Sequence, residues 1–500
     1  MEGAGFSYSL HWVDLIVIIV YLAASTFVGA LFRKGQKDIH TYFVGDREVS
    51  WLLVLVSIVA TETSTVTFLS VPGLAFNPKG GDLTFLQLAL GYLVGRILIA
   101  AILLPGYFQG QYISAYEVLR NKFDARVQRS ASLLFMLTRT IADGLRLFLT
   151  AILLQQFTQW SMPASILLMG IITVVYTYLG GMQAVLWTDC VQFLIYTLGA
   201  IIAGWLLVSS IPGGWTGFFQ AGDAAGKFTF INLSTDPSIT YTLWTGVIGG
   251  AFFSMASHGA DQIMVQRYLC ARSLNHARAA LVASGVVVFL QFSLFLFIGV
   301  GLYVLLVSGG WPLPADIKND QVFGRFIVEK LPVGLVGLVI ASVLAAAMST
   351  LSSSLNSSAS AAIADFYKPM KPNKSELQYL QGSRLLTLFF GMAQIAVALC
   401  AWQIDSPRSV IDQVLSVAGL TTGMVLGLFL LGLLKQPISS TAALMGMLFG
   451  FGAVMAVYVP GAIDKPIVAW PWYAPIGTLS TVLITLALNA AIRPKANENG

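Results

Sequence analysis

The segment 341–362, which reads ASVLAAAMSTLSSSLNSSASAA, places many hydroxyl groups inside an apolar stretch long enough to cross a bilayer. If it is helical, Ser349, Ser352, Ser353 and Asn356 fall at positions i, i+3, i+4 and i+7 and share one face. Such a row of oxygens, away from water, suits a hard monovalent cation such as sodium. It is equally consistent with a helix that packs closely against its neighbours and bonds its hydroxyls to its own carbonyls.

Asp189 is an ionisable residue within a second apolar segment, 184–209. Ionisable side chains at membrane depth are functional candidates by default. The order of the apolar segments places Asp189 at a depth comparable to that of Ser352 and Ser353. A carboxylate beside two hydroxyls could bind sodium or a proton, whereas the structural alternative is a buried aspartate that caps a helix turn or pairs with a basic residue.

The segment 57–76, SIVATETSTVTFLSVPGLAF, crowds hydroxyl and carboxyl groups into the middle of a third apolar stretch. This run weakens helix continuity and offers backbone carbonyls as ligands. Gly246, Gly249 and Gly250 indicate a second interrupted segment, 242–260, five apolar segments further along the chain. Two interrupted helices at such corresponding positions are typical of an inverted-repeat transporter whose binding site lies at the membrane midplane.

Arg139, Asp143 and Arg146 lie at i, i+4 and i+7 of another apolar segment and could form an intrahelical ion-pair ladder. One of these arginines could instead pair with Glu62, or could bind the carboxylate of a solute. The four histidines are scattered, and no nucleophile–base pair, phosphate-binding loop or metal-ligand spacing is present in the sequence.

The composition of the chain indicates which structural elements must position these residues. The 500-residue chain is 56% hydrophobic and only 10% charged, whereas soluble domains carry about 25% charged residues. It is therefore an all-α polytopic membrane protein, and its net charge of +5, distributed over short loops, does not indicate nucleic-acid binding. Thirteen candidate spans are predicted near 12–32, 50–76, 83–107, 130–156, 161–180, 184–209, 242–260, 279–307, 332–364, 382–403, 409–434, 438–458 and 472–492.

Lysine and arginine residues concentrate in alternate loops, which orients the chain. The bias predicts an N-terminus outside and a C-terminus in the cytoplasm of a cell (inner) membrane. The first apolar run has no basic residue before it and is therefore expected to remain as a transmembrane helix rather than to be cleaved as a signal peptide.

Four stretches resemble core elements of the sodium:solute symporter family. TYLGGMQAVLWTDCVQ (177–192) resembles its signature, GADQIMVQRYLCARS (259–273) its sixth core helix, and AAAMSTLSSSLNSSAS (345–360) its eighth. GLFLLGLLK (427–435) resembles the tenth, and ATETSTVTFLSVPG resembles bacterial relatives of the iodide, monocarboxylate and vitamin branch. The resemblance implies the leucine-transporter fold, in which 12–32 is an extra N-terminal helix, 50–209 and 242–434 are inverted repeats, and 438–492 forms two C-terminal helices.

The resemblance also implies site residues. The first sodium site would use the carbonyls of Ala60, Thr63 and Ala346 and the hydroxyls of Ser349 and Thr350. A second sodium site, present in some members, would use Asp189, Ser352 and Ser353. The solute pocket would involve Thr61, Glu62, Ser64, Thr67 and Gln87.

These observations predict a sodium-coupled symporter that imports a small polar organic solute by alternating access with one or two sodium ions. The solute classes expected are a sugar, a sugar acid or a monocarboxylate. Proton coupling through Asp189 or Glu62 is the alternative within transport. A membrane-embedded enzyme would need clustered catalytic residues, and a nutrient sensor would normally carry a signalling domain. The expected partners are the solute and the lipid bilayer, without nucleic acid, and the chain is expected to work as a monomer.

Overall fold

The structure is a computed structural model that describes residues 10–31, 42–43, 48–110, 112–314, 317–404, 410–463 and 467–492. The described residues form α-helices joined by short connections. In chain order the helices are α1 Trp12–Leu31, α2 Trp51–Glu62, α3 Thr65–Phe76, α4 Leu86–Tyr107, α5 Glu117–Lys122, α6 Ala125–Thr158, α7 Met162–Ser209, α8 Gly214–Ala224, α9 Gly250–Gly259, α10 Gln262–Leu269, α11 Leu274–Val307, α12 Asn319–Lys330, α13 Leu335–Ala361, α14 Glu376–Trp402, α15 Val410–Gly432, α16 Ser440–Ile463 and α17 Tyr473–Ile492.

Among the described residues, eight helices are long and apolar enough to cross a membrane, and the bent pair α2–α3 makes a ninth crossing. Trp12–Ser25 and Met162–Val175 are shorter apolar helices at the positions of two further predicted spans. The remaining two predicted spans, 130–156 and 242–260, contain the Arg139–Asp143–Arg146 ladder and the second interrupted helix. Charge and discontinuity therefore explain why these two segments differ from an ordinary apolar span.

The first interrupted helix breaks where the hydroxyl-rich run predicts. α2 ends at Glu62, Thr63 and Ser64 are extended, and α3 starts at Thr65 with its axis bent by 63°. Pro72 lies inside α3 and does not end it. The break leaves the last carbonyls of α2 without partners in their own helix, which is the electronegative end of a helix.

The second interrupted helix breaks further along than its glycines suggested. A π-helical turn at Thr245–Gly249 leads into α9, and the interruption comes at Ala260 and Asp261, where the Asp261 side chain caps α10. The glycines allow close helix packing instead. Gly246 lies against Gly91 of α4, and a methyl group added at Gly91 would overlap the carbonyl oxygen of Gly246. The prediction of an interrupted segment is confirmed, but its placement at the glycines was wrong.

The predicted spans 161–180 and 184–209 both fall within a single helical range, α7. Its contacts nevertheless show two arms. Gly170 packs on Ile395 and Tyr178 approaches Arg384, which lies eleven residues nearer the start of α14. Further along, Asp189 contacts Ser349 and Gly199 packs on Ser342, nearer the start of α13. Because α13 and α14 run antiparallel, the chain direction reverses near residues 178–182, as two separate spans require.

The helix α13 lies in the centre of the bundle and is buried on all sides, including its serines. Its N-terminus is capped from α1: Asp14 Oδ1 accepts hydrogen bonds from the backbone nitrogens of Gly334 and Gly337, both at 2.7 Å. The carboxylate thus faces the electropositive end of α13.

The two ends of the bundle differ. The connections 210–244 and 308–334 meet the end of α3 and define what we call the long-loop face, where Lys227 and Asn319 contact this helix end. At the opposite, short-loop face, Gln262 and Asp365 hold residues 113–115 through the Ile113 carbonyl, the Ser114 hydroxyl and the Ala115 amide.

Candidate functional site

The hydroxyl of Thr350 joins α13 to the broken end of α2. It donates to the carbonyl oxygen of Thr61 at 2.9 Å and, more weakly, to that of Ala346 at 3.3 Å. Ala60, which precedes Thr61 in α2, and Ala346 are both fully buried. A helix end rich in unpaired carbonyls next to a hydroxyl is a donor set that fits a hard cation such as sodium.

The hydroxyls of two other residues predicted for the first sodium site bond elsewhere, although for Thr63 the predicted ligand is the backbone carbonyl. The hydroxyl of Thr63 donates to the Gln291 side chain at 2.7 Å and to the Val59 carbonyl at 2.9 Å. Ser349 donates to Asp189 Oδ1 at 2.6 Å. The structure therefore joins Thr350 to the carbonyls of Thr61 and Ala346 and directs the Ser349 hydroxyl toward the neighbouring group of polar residues.

That neighbouring group, which we call the Asp189 cluster, consists of Asp189, Ser57, Thr61, Ser353 and Arg267. Asp189 Oδ2 accepts from Ser57 at 2.5 Å, from Arg267 at 3.0 Å and from Thr61 at 3.4 Å. Both Asp189 and Arg267 are completely buried. The structural alternative, a buried aspartate paired with a basic residue, is thus what the structure shows for Asp189.

The serines predicted to accompany Asp189 differ in position. Ser353 lies in the cluster, with its oxygen 2.5 Å from Arg267 Nη2 and 3.3 Å from the Thr61 hydroxyl. Ser352 donates to the carbonyl of Ser349 at 3.1 Å, a bond within its own helix. Ser349 therefore occupies the position beside Asp189 that the sequence pattern assigned to Ser352.

Sequence reasoning missed Ser57 and Arg267. Arg267 lies between the predicted spans 242–260 and 279–307, where a loop was expected, yet it is on α10 with its guanidinium inside the bundle. The signal was available in GADQIMVQRYLCARS, where an arginine stands three residues before a cysteine among apolar residues.

A cavity of about 130 Å³ lies beside the break of the first helix. Its wall includes Thr61, Glu62, Ser64 and Thr67, four of the residues predicted to contact solute. The fifth, Gln87, does not line it: its side chain bonds the carbonyls of Thr84 and Tyr241 and the amide of Asn232, where it fastens the 210–244 connection.

Ion pairs surround the cavity. Glu62 pairs with the buried Arg96, and His258 Nε2 lies 3.4 Å from the same carboxylate oxygen. Arg139 pairs with Asp261 across helices at 3.1 Å and approaches Asp143 at 3.8 Å. The prediction of an intrahelical ladder is seen here, whereas Glu62 takes Arg96 rather than either arginine of α6.

Arg146 completes the ladder and faces the cavity. It pairs with Asp143, which does not itself line the cavity and so holds the guanidinium from behind. Arg146 Nε has no hydrogen-bond partner within the described part of the chain. The cavity wall also contains an aromatic pair, in which Tyr92 stacks on Phe253 with ring centroids 5.9 Å apart.

The model of the sodium:solute symporter family matches residues 42–450. The chain belongs to this family. The sodium/sialic acid symporter NanT of Aliivibrio fischeri is 30% identical over 489 residues, which cover 95% of this chain and 92% of the relative. The human sodium/iodide cotransporter is 29% identical and aligns with 89% of this chain and 69% of its own length.

Solved structures agree with the sequence matches. The substrate-bound, outward-open structure of a Na+-coupled sialic acid symporter superposes with a TM-score of 0.87 at 29% identity, covering 98% of this chain and 99% of that one. The nucleobase–cation symporter Mhp1, at 14% identity, superposes with a TM-score of 0.57 and bears on the fold alone. This family member therefore has the leucine-transporter fold, as predicted.

The functional class follows from the same comparisons. The chain is a sodium-coupled symporter for a small polar organic solute, with sodium as its coupling ion, and it is a transporter rather than an enzyme. It is a multi-pass protein of the cell (inner) membrane that works by alternating access.

Proposed function

We propose that the solute is a sugar acid or a closely related monocarboxylate, bound in the cavity beside the break of the first helix. The observation that carries this proposal is Arg146: its guanidinium faces the cavity, is held from behind by Asp143 and has an unused donor at Nε. A planar guanidinium recognises a carboxylate through a fork of N–H donors.

The remainder of the wall suits a polyhydroxylated body. Ser64, Thr67 and Thr422 supply hydroxyl groups, and Tyr92 and Phe253 supply an apolar face. A sugar ring presents this combination of hydroxyl edges and apolar faces. The bacterial relatives named as sodium/sialic acid symporters give independent support for an acidic sugar.

Sodium binding is proposed at two places. The first ion would bind at the end of α2 to the carbonyls of Ala60, Thr63 and Ala346 and the hydroxyls of Thr350 and Ser349, once Ser349 turns its hydroxyl from Asp189 toward the ion. The second would bind in the Asp189 cluster with Ser352 and Ser353 nearby. One charge that crosses a potential of ~100 mV contributes about 2.3 kcal/mol, and each decade of solute accumulation requires about 1.4 kcal/mol.

The topology completes the proposal. The long-loop face would be extracellular, with the N-terminus outside and the C-terminus in the cytoplasm. Residues 50–209 and 242–434 would be the two inverted repeats, because each contains one interrupted helix at its start. A single copy of the chain would suffice for transport, since the proposed sites lie within one bundle, and no nucleic acid would be involved.

Uptake into proteoliposomes tests the solute assignment. A panel of sugar acids, monocarboxylates and neutral sugars is compared in sodium and in choline buffer, with wild type and R146Q. We expect sodium-dependent uptake of a sugar acid, and a KM for that acid raised roughly tenfold or more in R146Q. R126Q is the matched control because Arg126 lies on the same helix in an exposed pair with Asp124.

Two results would contradict the proposal. One is uptake of neutral sugars in preference to their acids by wild type. The other is a KM for the acid and for its neutral amide that changes equally in R146Q, because loss of a carboxylate contact must affect the acid alone.

A further inference from the structure

The guanidinium of Arg267 occupies a position in which a free cation would also be stable. Its Nη2 atom lies 2.5 Å from the hydroxyls of Thr61 and Ser353 and 3.0 Å from Asp189 Oδ2. An Nη2 atom carries two N–H groups, yet three oxygens surround it at this distance. The contacts are thus those of a positive charge within an oxygen shell rather than those of a single forked ion pair.

The oxygens of this shell come from three helices that otherwise form the ion-binding region. Thr61 belongs to α2, Asp189 to α7 and Ser353 to α13. Asp189 and Ser353 are two of the three residues proposed for the second sodium ion. A sodium ion and the Nη2 atom of Arg267 therefore require the same oxygens and cannot both bind them at full strength.

Arg267 is carried by a fourth element. It lies on α10, the half of the second interrupted helix that follows Ala260 and Asp261. Its Nε donates to Ser57 at 2.9 Å, and its Nη1 donates to the carbonyl of Ile263 in its own helix at 2.8 Å. A movement of α10 relative to α2 and α13 would withdraw the guanidinium from the cluster as one unit.

We propose that Arg267 is a tethered cation that competes with sodium for the Asp189 cluster, so that sodium binds there only when α10 withdraws the guanidinium. The proposal rests on the proposed second sodium site. With Arg267 in place the pair Asp189–Arg267 is neutral and needs no ion, because each buried charge has its partner. The position of α10 then decides whether a second sodium ion accompanies the solute.

Competition between Arg267 and sodium predicts a graded change in apparent sodium affinity. Replacement of Arg267 by glutamine leaves the Asp189 carboxylate among Ser57, Thr61 and Ser353 without a fixed positive charge, which sodium can supply. Lysine keeps the charge but cannot reach both Ser57 and Asp189 with one fork of donors. Apparent sodium affinity should therefore increase in the order wild type, R267K, R267Q.

The experiment is a sodium titration of thermal stability on the purified full-length protein without solute, with choline replacing sodium to hold ionic strength constant. We expect the half-saturating sodium concentration to fall roughly tenfold or more in R267Q and by a smaller factor in R267K. The double variant R267Q/D189N removes both charges and should lose the gain. The sodium-to-solute ratio, measured from reversal potentials in proteoliposomes, should be higher in R267K than in wild type.

The outcomes separate the inference from the proposed function. If sodium stabilises wild type and the half-saturating concentration is unchanged in R267K and R267Q, the competition is refuted while sodium coupling stands. An equal gain in R267Q and R267Q/D189N would also refute it, because Asp189 must supply the site. Failure of R267Q to fold leaves R267K, which keeps the buried charge, to decide the matter. If sodium stabilises none of the proteins and drives no uptake, it is the proposed function that fails.

Discussion

The hydroxyl of Thr350 donates a hydrogen bond to the carbonyl oxygen of Thr61 at 2.9 Å, so the centre of α13 is fastened directly to the broken end of α2. This bond links a helix that is buried on all sides to one whose continuity fails two residues later. Any ligand of the Thr61 carbonyl must therefore either share or replace the contact made by Thr350.

Removal of the Thr350 hydroxyl should weaken sodium binding. We expect T350A to raise the half-saturating sodium concentration for uptake by roughly tenfold, and T350A combined with S349A to abolish sodium stimulation, since both remove proposed oxygen ligands. S358A is the matched control: Ser358 is buried on the same helix, and its hydroxyl has no hydrogen-bond partner within the described residues. Wild-type sodium dependence in the double variant would remove these hydroxyls from the ion site.

Loss of the Glu62 carboxylate should destabilise the protein strongly. Arg96 is fully buried, and E62A would leave its charge unpaired at a cost of about 3–5 kcal/mol. The double variant E62Q/R96M removes both charges and should cost less than the sum of the single changes, which denaturant titration in detergent can measure as a coupling energy. R126A is the comparison, because the exposed Asp124–Arg126 pair should contribute at most about 1 kcal/mol and Asp124 remains to cap α6.

The cap supplied by Asp14 should also be measurable. D14A removes the acceptor for the amides of Gly334 and Gly337 and should lower the free energy of unfolding by about 1–2 kcal/mol. G337A should cost more, because a methyl group there would lie 2.6 Å from the Asp14 Cα atom. Equal stability of D14A and wild type in thermal melts would show that α1 does not support the N-terminus of α13.

Lys227 gives a prediction about pH on the long-loop face. Its ammonium donates to the carbonyls of Asn77 and Gly81, both at 2.8 Å, and lies 4.0 Å from the ring centroid of Tyr303. Burial lowers the pKa of Lys227 to about 8, although the charge of Asp82 opposes the shift. The unfolded chain, with the ordinary lysine pKa of 10.5, therefore binds this proton more tightly than the folded protein does.

The sign follows from this difference in proton binding. Between pH 8 and 10.5 the unfolded state holds more of this proton, so the contribution of Lys227 to stability should rise as the pH rises across that window. Thermal melts of wild type and K227M should diverge in favour of wild type over this range. K79M, at an exposed lysine of the neighbouring turn, should run parallel to wild type. A constant difference between wild type and K227M would contradict the prediction.

The sequence predicted the structure best where polar side chains lie within an apolar segment that spans the bilayer. The hydroxyl-rich run at 61–67 breaks its helix because such side chains compete for backbone hydrogen bonds, and the structure places the break within it. Asp189 and Ser353 could be paired by depth alone, since a helix rises a fixed distance per residue and the topology orders the ends.

Contacts between helices were not accessible in this way. Gly246 looked like a break but permits the close approach of α4, and nothing in the local sequence distinguishes these two uses of glycine. Arg267 looked like a loop residue because α10 is short and follows an interruption, so no apolar window includes it. Whether Ser349 or Ser352 faces Asp189 depends on the rotation of α13 about its own axis, and residue spacing alone does not fix that rotation.

The contact between Gly91 and the turn at Gly246 has a mechanical consequence. Gly95 repeats it one turn later, where an added methyl group would lie 2.5 Å from the carbonyl of Ala251. With backbone against backbone at two successive turns, no side chain can change rotamer to let α4 slide along α9. The helices α4 and α9, one from each half of the chain, should therefore move as one rigid body during transport. Bending should be confined to the breaks in the two interrupted helices.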